Sequence, residues 1–270
     1  MSLDGLLAEF GDSFSAWTFP VFCALACGLM AQTARRTVCG MLVGARLSQL
    51  WSHHRAHRFF SHARWSVEAV SATLARLVVR LLVEAAETIL VAVDDTLFQR
   101  RGPKVHAASW FHDGSAAGQR KVGYGNNWVI AAIVVRLPFL DRAVALPVGF
   151  ALIRKGSDEA SRLEAARRLI EALATALSGR RIDVVADSAY AGKALRNLPA
   201  AVTWTTRLRS NAALYEFAPP RTGKRGRPRT KGAKLAPLAT LAAQAAFTPT
   251  PVTRYGQSAS VGVAVIPCLW

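Results

Sequence analysis

Residues 87–96 read ETILVAVDDT, a short apolar run that ends in two aspartates and a threonine. An apolar run of this length between polar residues is typical of a strand buried on both faces of a sheet. Residues 181–188, RIDVVADS, repeat the same design. In open α/β sheets, ligands and catalytic groups collect at the carboxyl ends of the strands. We therefore predict that Asp94 and Asp187 meet at one sheet edge, where their carboxylates suit a divalent cation.

The composition indicates a folded, strongly basic protein. Half of the 270 residues are apolar, which excludes a disordered chain, and the net charge is +17 with a pI near 10.9. Such a charge favours a polyanionic partner, nucleic acid before an anionic membrane. Residues 188–270 hold twelve Lys and Arg against one acid, Glu216, so the basic surface is expected mainly there.

The cysteines and the most apolar segment indicate a cytoplasmic protein without a membrane span. Cys23, Cys27, Cys39 and Cys268 show neither paired metal-ligand spacing nor the density of a disulfide scaffold, which favours a reducing compartment. Residues 17–31 are mostly apolar, but the run is too short to span a bilayer and contains Pro20. We interpret it as a core helix.

The hydrophobic pattern predicts an N-terminal helical region followed by an α/β domain. Apolar residues recur at three- and four-residue steps from residue 3 to about 83, as in a set of amphipathic helices. After the first acidic strand we predict a polar loop at 99–127, strands at 128–137 and 143–151, a helix opened by residues 157–159 and ending near 177, the second acidic strand, a short helix at 191–198 and a strand at 202–206. This order predicts a mixed sheet flanked by helices.

Residues 51–60, WSHHRAHRFF, mix basic and aromatic side chains. Such a segment can contact phosphates or stack on bases, and it is equally compatible with a half-buried helix junction. The histidines of this region raise the question of a zinc site, but no second ligand cluster at metal spacing accompanies them in the sequence. They are His53, His54, His57 and His62.

Residues 221–234 form a basic segment with seven Lys and Arg, three glycines and no acid. Its centre, Arg-Gly-Arg-Pro-Arg at 225–229, resembles the core of an AT-hook and is narrow enough for the DNA minor groove. The alternative is a solvated basic loop that raises only non-specific DNA affinity. The predicted DNA-binding residues are Arg221, Lys224, Arg225, Arg227, Arg229, Lys231 and Lys234.

Two kinds of chemistry compete for the acidic strand end. A phosphatase of the haloacid-dehalogenase type needs an aspartate nucleophile two residues before Asp94, and that position is Ala92, so no aspartyl-phosphate can form. A metal-dependent nuclease needs carboxylates on neighbouring strand ends, as Asp94 and Asp187 provide. An aspartate that closes a strand can also be a simple turn or helix cap.

Several short motifs follow one another along the chain. They are Asp94-Asp95-Thr96, residues 101–105 (RGPKV), His112-Asp113, residues 125–129 (GNNWV), Leu146-Pro147, residues 186–190 (ADSAY), residues 207–209 (RLR) and residues 226–229 (GRPR). In this order and spacing they resemble the DDE-superfamily endonuclease domain of bacterial insertion-sequence transposases. A further segment, residues 59–66, resembles the end of that family's N-terminal helical region.

The resemblance implies an RNase H-like α/β fold that holds Mg²⁺ or Mn²⁺ and cuts and joins DNA. Asp94 would be the first catalytic acid and Asp187 the second. Asp95 competes with Asp94 for the first place and is also a candidate metal ligand, because a one-residue shift in strand register exchanges the two faces. Residues 1–84 would be a DNA-binding helical region and residues 85–270 the catalytic domain, with a basic insertion at about 208–254.

The expected partners are double-stranded DNA, at the element ends and the target, and further copies of the chain assembled on that DNA. The expected location is the bacterial cytoplasm, at the nucleoid. The family's third acid is a glutamate on a later helix. The single acid after Asp187 is Glu216, which lies beside the basic segment and lacks the family's helical Tyr-x-x-Arg-x-x-x-Glu pattern, so this sequence has no counterpart of the third acid. We therefore expect a chain truncated before that acid. Three functions stay open: an active transposase, an inactive DNA-binding remnant of one, and an unrelated RNA-binding domain.

Overall fold

The computed structural model describes residues 2–33, 36–102, 104–114, 116, 121–156, 161–220, 227–254 and 256–270. Seven α-helices lie among these residues: α1 Leu3–Ala8, α2 Phe19–Ala31, α3 Val38–Gly44, α4 His53–Ser61, α5 Val67–Leu82, α6 Arg162–Ala176 and α7 Leu238–Gln244. The strands described are β1 Ile89–Gln99, β2 Ser109–His112, β3 Val122–Val135, β4 Val144–Ile153, β5 Ile182–Ala186, β6 Val202–Thr206, β7 Thr248–Arg254 and β8 Gln257–Val263.

Five strands form a mixed sheet in the order β4-β3-β1-β5-β6, and β2 extends it beside the first residues of β3. The pairs β4-β3 and β3-β1 are antiparallel, whereas β1-β5 and β5-β6 are parallel. The predicted RNase H-like class, a mixed sheet flanked by helices with an N-terminal helical region, is confirmed.

Helices α5 and α6 cover one face of the sheet and build the main core with it. Their buried residues Val78, Val79 and Ile170 pack with the inward side chains of β1, β3 and β5. Helix α6 begins at a capping box, in which Ser161 accepts from the Glu164 amide and Glu164 accepts from the Ser161 amide. The residues predicted to open this helix, 157–159, lie outside the described part of the chain.

Strand β1 differs from its prediction in two respects. Its side chains alternate: Ile89, Val91 and Val93 are buried, whereas Leu90 is 38% exposed, so the strand is not buried on both faces. It also continues beyond the aspartates to Gln99, because β3 pairs with it along this whole length. By contrast, the parallel pairing of β1 with β5 ends before Asp94.

A second core lies among the N-terminal helices. Val21 and Leu25 of α2 pack with Leu42 of α3 and with Ala56 and Phe59 of α4. The apolar run 17–31 is therefore a core helix, as predicted. Among the residues described, no helix combines the length and the apolar character that crossing a bilayer requires.

One loop prediction and one helix prediction need correction. The predicted loop 99–127 contains β2 and the start of β3, because the outer half of β1 supplies a pairing partner that a local pattern cannot reveal. The predicted short helix 191–198 is instead a segment with one 3₁₀ turn, Lys193–Leu195, and another 3₁₀ turn, Ser188–Tyr190, lies just before it. Strand β8 pairs with β7 in a separate two-stranded sheet.

Candidate active site

The parallel pairing of β1 and β5 brings Asp94 and Asp187 side by side. The last matched pair of the two strands is Val93 with Ala186. Asp94 directly follows Val93, and Asp187 directly follows Ala186. Neighbouring strands lie about 4.8 Å apart, and matched positions of parallel strands direct their side chains to the same face. The structure therefore places both carboxylates at one edge and on one face of the sheet.

The electrostatics of this edge favour a cation. Partial burial raises the pKa of Asp94, the amide of Asp95 opposes this shift, and the negative charges of Asp95 and Asp187 raise the pKa further. That amide donates to Asp94 Oδ1 at 2.8 Å. Because like charges at short range disfavour ionisation, a cation shared by Asp94 and Asp187 would remove part of their repulsion.

Hydrogen bonds to its carboxylate and to its carbonyl oxygen fix the position of Asp187. Its Oδ1 accepts from the amide of Ala189 at 2.8 Å, which caps the 3₁₀ turn that follows. Its carbonyl oxygen accepts from Thr206 Oγ1 at 2.7 Å, which ties it to the end of β6. The residue is thus a turn cap, as the alternative interpretation supposed. The cap occupies one carboxylate oxygen, and a carboxylate has a second one available for a ligand.

The carboxylate of Asp95 points to the other face, towards α6. Arg162 donates to both of its oxygens, at 3.1 and 3.0 Å, and Asn127 Nδ2 donates to Oδ2 at 3.0 Å. The hydroxyl of Tyr190 donates to Oδ1 at 3.3 Å, and the Asp95 side chain is only 14% exposed. These bonds join β1 to β3, to α6 and to the turn after β5.

Tyr190 supports this arrangement as a neutral donor. Burial raises the pKa of its phenol strongly, and the negative charges of Asp95 and Asp94 raise it further. The side chain is 1% exposed. The hydroxyl consequently stays protonated at physiological pH and can donate to Asp95 throughout.

The contact of Arg162 with Asp95 is not predicted above, although the position of Arg162 in the sequence contains a signal for it. It is the first residue of α6, directly after the N-cap Ser161. A cation is unfavourable at a helix N-terminus because the macrodipole is positive there. An arginine at this position therefore indicates a nearby carboxylate, which the structure identifies as Asp95.

The predicted DNA-binding residues lie partly within the described structure. Arg227, Arg229, Lys231 and Lys234 are exposed, whereas Arg221, Lys224 and Arg225 lie outside the described residues. Tyr215 anchors the segment: its backbone forms bridges with Lys234 and Leu269, and the Lys231 ammonium lies 4.3 Å from its ring centroid. Glu216, the acid after Asp187, is exposed next to this anchor.

A DDE superfamily endonuclease family matches residues 9–260. A piggyBac transposase, solved by cryo-EM as a synaptic complex with hairpin DNA, is similar with a TM-score of 0.35 and 12% identity, over 77% of this chain and 47% of that one. The present chain thus spans about half the length of that transposase. No curated protein matches it. Because the family match extends over most of the sequence, the chain belongs to the DDE superfamily endonucleases.

Proposed function

We propose that the chain is the transposase of an insertion sequence, which cleaves DNA and transfers the cut strand with the help of a divalent cation. The observation that supports this proposal is the placement of Asp94 and Asp187 at adjacent positions on one face of an RNase H-like sheet. Membership in the DDE superfamily endonucleases supports the same reaction class.

The donor set fits Mg²⁺ or Mn²⁺. These hard cations prefer carboxylate oxygens, which Asp94 and Asp187 provide. Among the described residues, neither carboxylate has a cationic side chain as a hydrogen-bond or ion-pair partner. When bound, such a cation supplies Lewis-acid activation of water and of the scissile phosphate. The Ala189 amide and the Thr206 hydroxyl hold Asp187 in place, so its position is fixed before the cation arrives.

The proposed reaction has two steps. In the first, water attacks a phosphorus at the element end, the bond to the 3′ oxygen breaks, and a 3′-hydroxyl and a 5′-phosphate result. In the second, that 3′-hydroxyl attacks a target phosphodiester and a target 3′-oxygen leaves. In both steps negative charge develops on the phosphoryl group and on the leaving oxygen, and a cation held by Asp94 and Asp187 would offset that charge.

We assign the first catalytic acid to Asp94 and a positioning role to Asp95. The Asp95 carboxylate already accepts hydrogen bonds from Arg162, Asn127 and Tyr190 on the helix-covered face. A cation at Asp95 would compete with the Arg162 guanidinium for the same oxygens. Asp94 is exposed on the opposite face, where DNA has access.

DNA contacts are proposed for two regions. The exposed cations of the 227–234 segment would contact phosphates or enter the minor groove, and the N-terminal helices, within residues 1–84, would bind the element ends. Helix α4 contributes the cations Arg55 and Arg58 to that region. Residues 85–270 would then be the catalytic domain, with copies of the chain assembled on the DNA.

The test is a nicking assay on supercoiled and element-end DNA with Mg²⁺ or Mn²⁺. Asp94→Asn and Asp187→Asn should each reduce cleavage by at least about a hundredfold, the scale of removing one group that stabilises transition-state charge. Asp183→Asn is the matched control, because Asp183 lies on β5 four residues before Asp187 and pairs with Leu90 at the other end of the strand. Its cleavage rate should equal that of the wild type.

Two results would replace this proposal. Equal residual cleavage by the wild type and Asp187→Ala, with DNA binding retained, would identify a catalytically inactive DNA-binding remnant. Preferential binding of RNA over duplex DNA in a competition at fixed salt would identify an RNA-binding domain instead.

A further inference from the structure

The N-terminal helices bring together three side chains that can bind a metal ion. Cys39 lies near the start of α3, and His53 and His57 lie on α4. The Cys39 sulfur and one nitrogen of each imidazole all lie within 4.8 Å of one another. In the sequence the histidines lacked a further ligand at metal spacing, and the folding of α3 against α4 supplies it.

The spacing of the two histidines is suited to chelation. Residues four apart on an α-helix lie above one another on the same face, and two such histidines are a recurrent pair of zinc ligands. The rings of His53 and His57 lie 4.0 Å apart between centroids. In a tetrahedral zinc site the nitrogen and sulfur ligands lie about 3.3–3.6 Å apart, so small side-chain rotations would complete the geometry.

The chemistry of the three ligands differs from that of the carboxylate pair. A thiolate with two imidazoles is a borderline-soft set that selects Zn²⁺ and related ions, whereas Asp94 and Asp187 suit hard cations. Cys39 is exposed and carries a free thiol, and both histidines are exposed, so an ion from solution can reach them.

We propose that Cys39, His53 and His57 form a binding site for Zn²⁺ or a similar ion, with water as the fourth ligand. Binding would release the thiol proton of Cys39 to solvent. The ion would cross-link α3 to α4 and thereby fix the helix that presents Arg55 and Arg58. The other imidazoles of this region, His54 and His62, line a separate groove with those arginines and take no part.

The proposal is tested by titrating Co²⁺ into the untagged, chelator-treated full chain. Co²⁺ bound through Cys39 gives a near-ultraviolet thiolate-to-cobalt charge-transfer band and the visible d–d bands of a tetrahedral ion, and excess Zn²⁺ should remove both. Cys39→Ser should abolish the charge-transfer band. His53→Ala and His57→Ala should each weaken binding by at least about tenfold, because even residues that only support a ligand are worth about 10–100-fold in affinity.

The controls separate this site from other ligands in the chain. His54→Ala and His62→Ala change imidazoles on the same segment and should leave the titration unchanged. Asp94→Asn combined with Asp187→Asn should also leave the thiolate band unchanged. Far-ultraviolet circular dichroism and melting without metal should be the same for the wild type, Cys39→Ser, His53→Ala and His57→Ala, because these three side chains are exposed.

Zn²⁺ should raise the melting temperature of the wild type but not of Cys39→Ser. A wild-type titration without the thiolate band would overturn the proposal. So would a band that survives Cys39→Ser, which would assign the thiolate to Cys23, Cys27 or Cys268.

Discussion

At the scale of single residues, Asp94 and Asp95 are neighbours in the chain with opposite surroundings. Asp94 faces the open side of the sheet beside Asp187, and its pKa is raised. Asp95 faces α6 and accepts hydrogen bonds from three side chains. The alternation of a β-strand separates a candidate ligand from a structural carboxylate within two positions.

The structural role of Asp95 can be measured by its coupling to Arg162. Asp95→Asn should lower the free energy of unfolding by about 1–3 kcal/mol, because it weakens charge-assisted hydrogen bonds in a mostly buried site. Solvent screening should keep the loss in the lower part of this range, since the Arg162 side chain is 41% exposed. Urea unfolding of Asp95→Asn, Arg162→Met and the double variant would give the coupling energy. Wild-type stability together with loss of cleavage in Asp95→Asn would instead make Asp95 the metal ligand.

Asp94 should stabilise the metal-free fold only at acid pH. Its folded pKa is raised, chiefly by burial, so the native chain binds its proton more tightly than the unfolded chain does. Its contribution is therefore fully present below the ordinary aspartate pKa and is lost as the pH rises through the raised value. Asp94→Asn should remove this dependence and increase stability at neutral pH by less than about 1 kcal/mol, because Asp94 is only partly buried and solvent screens its charge.

The measurement is urea unfolding across acid to neutral pH without divalent cations. Addition of Mn²⁺ should then stabilise the wild type and leave Asp94→Asn unchanged. An Asp94→Asn variant that is less stable than the wild type at neutral pH would contradict the expectation.

At the scale of elements, close backbone approach fixes the packing of α2 on α3. A Cβ added at Gly28 of α2 would collide with the carbonyl oxygen of Met41, and one at Gly44 would collide with the carbonyl oxygen of Gly28. Glycine lets the two helices touch at these positions, so their side-chain contacts with α4 depend on them.

Gly28→Ala should therefore destabilise the N-terminal helices. Alanine has a helix propensity about 1 kcal/mol better than glycine, but forced overpacking costs typically about 1–3 kcal/mol and here involves backbone atoms that cannot rotate away. Gly11→Ala is the control, since nothing lies within 4 Å of a Cβ added there. Thermal unfolding compares the two, and equal melting temperatures would show that α2 and α3 separate at little cost.

At the scale of the whole molecule, the net charge of +17 has an uneven distribution. The exposed cations Arg227, Arg229, Lys231 and Lys234 lie in one short segment anchored at Tyr215. Such a surface favours a polyanion through counterion release, independently of sequence.

Replacing those four residues with glutamine should weaken duplex DNA binding and flatten its salt dependence. The slope of log K against log salt should fall by up to about 0.9 for each phosphate that the protein no longer neutralises. The control replaces four exposed arginines elsewhere on the sheet domain: Arg136, Arg142, Arg168 and Arg181. Fluorescence anisotropy at several salt concentrations measures the DNA affinity of both quadruple variants. Equal slopes for the two variants would contradict a specific role of residues 227–234 in DNA binding.

The class of fold, the candidate acids and the basic segment follow from the amino-acid sequence alone. Periodicity identified the helices before residue 83, and two apolar runs that end in aspartate identified β1 and β5. These features are local, because each depends on side chains within one turn or one strand. The continuation of β1 to Gln99 and the presence of β2 could not be predicted from the sequence, because the length of a strand depends on its hydrogen-bonding partners.

The tertiary fold sets the face that each side chain occupies and the distant residues that it contacts. It placed Asp94 beside Asp187, directed Asp95 to Arg162, and brought Cys39 to His53 and His57. Strand register and helix packing set these contacts, and both result from burying one continuous core rather than from any local pattern.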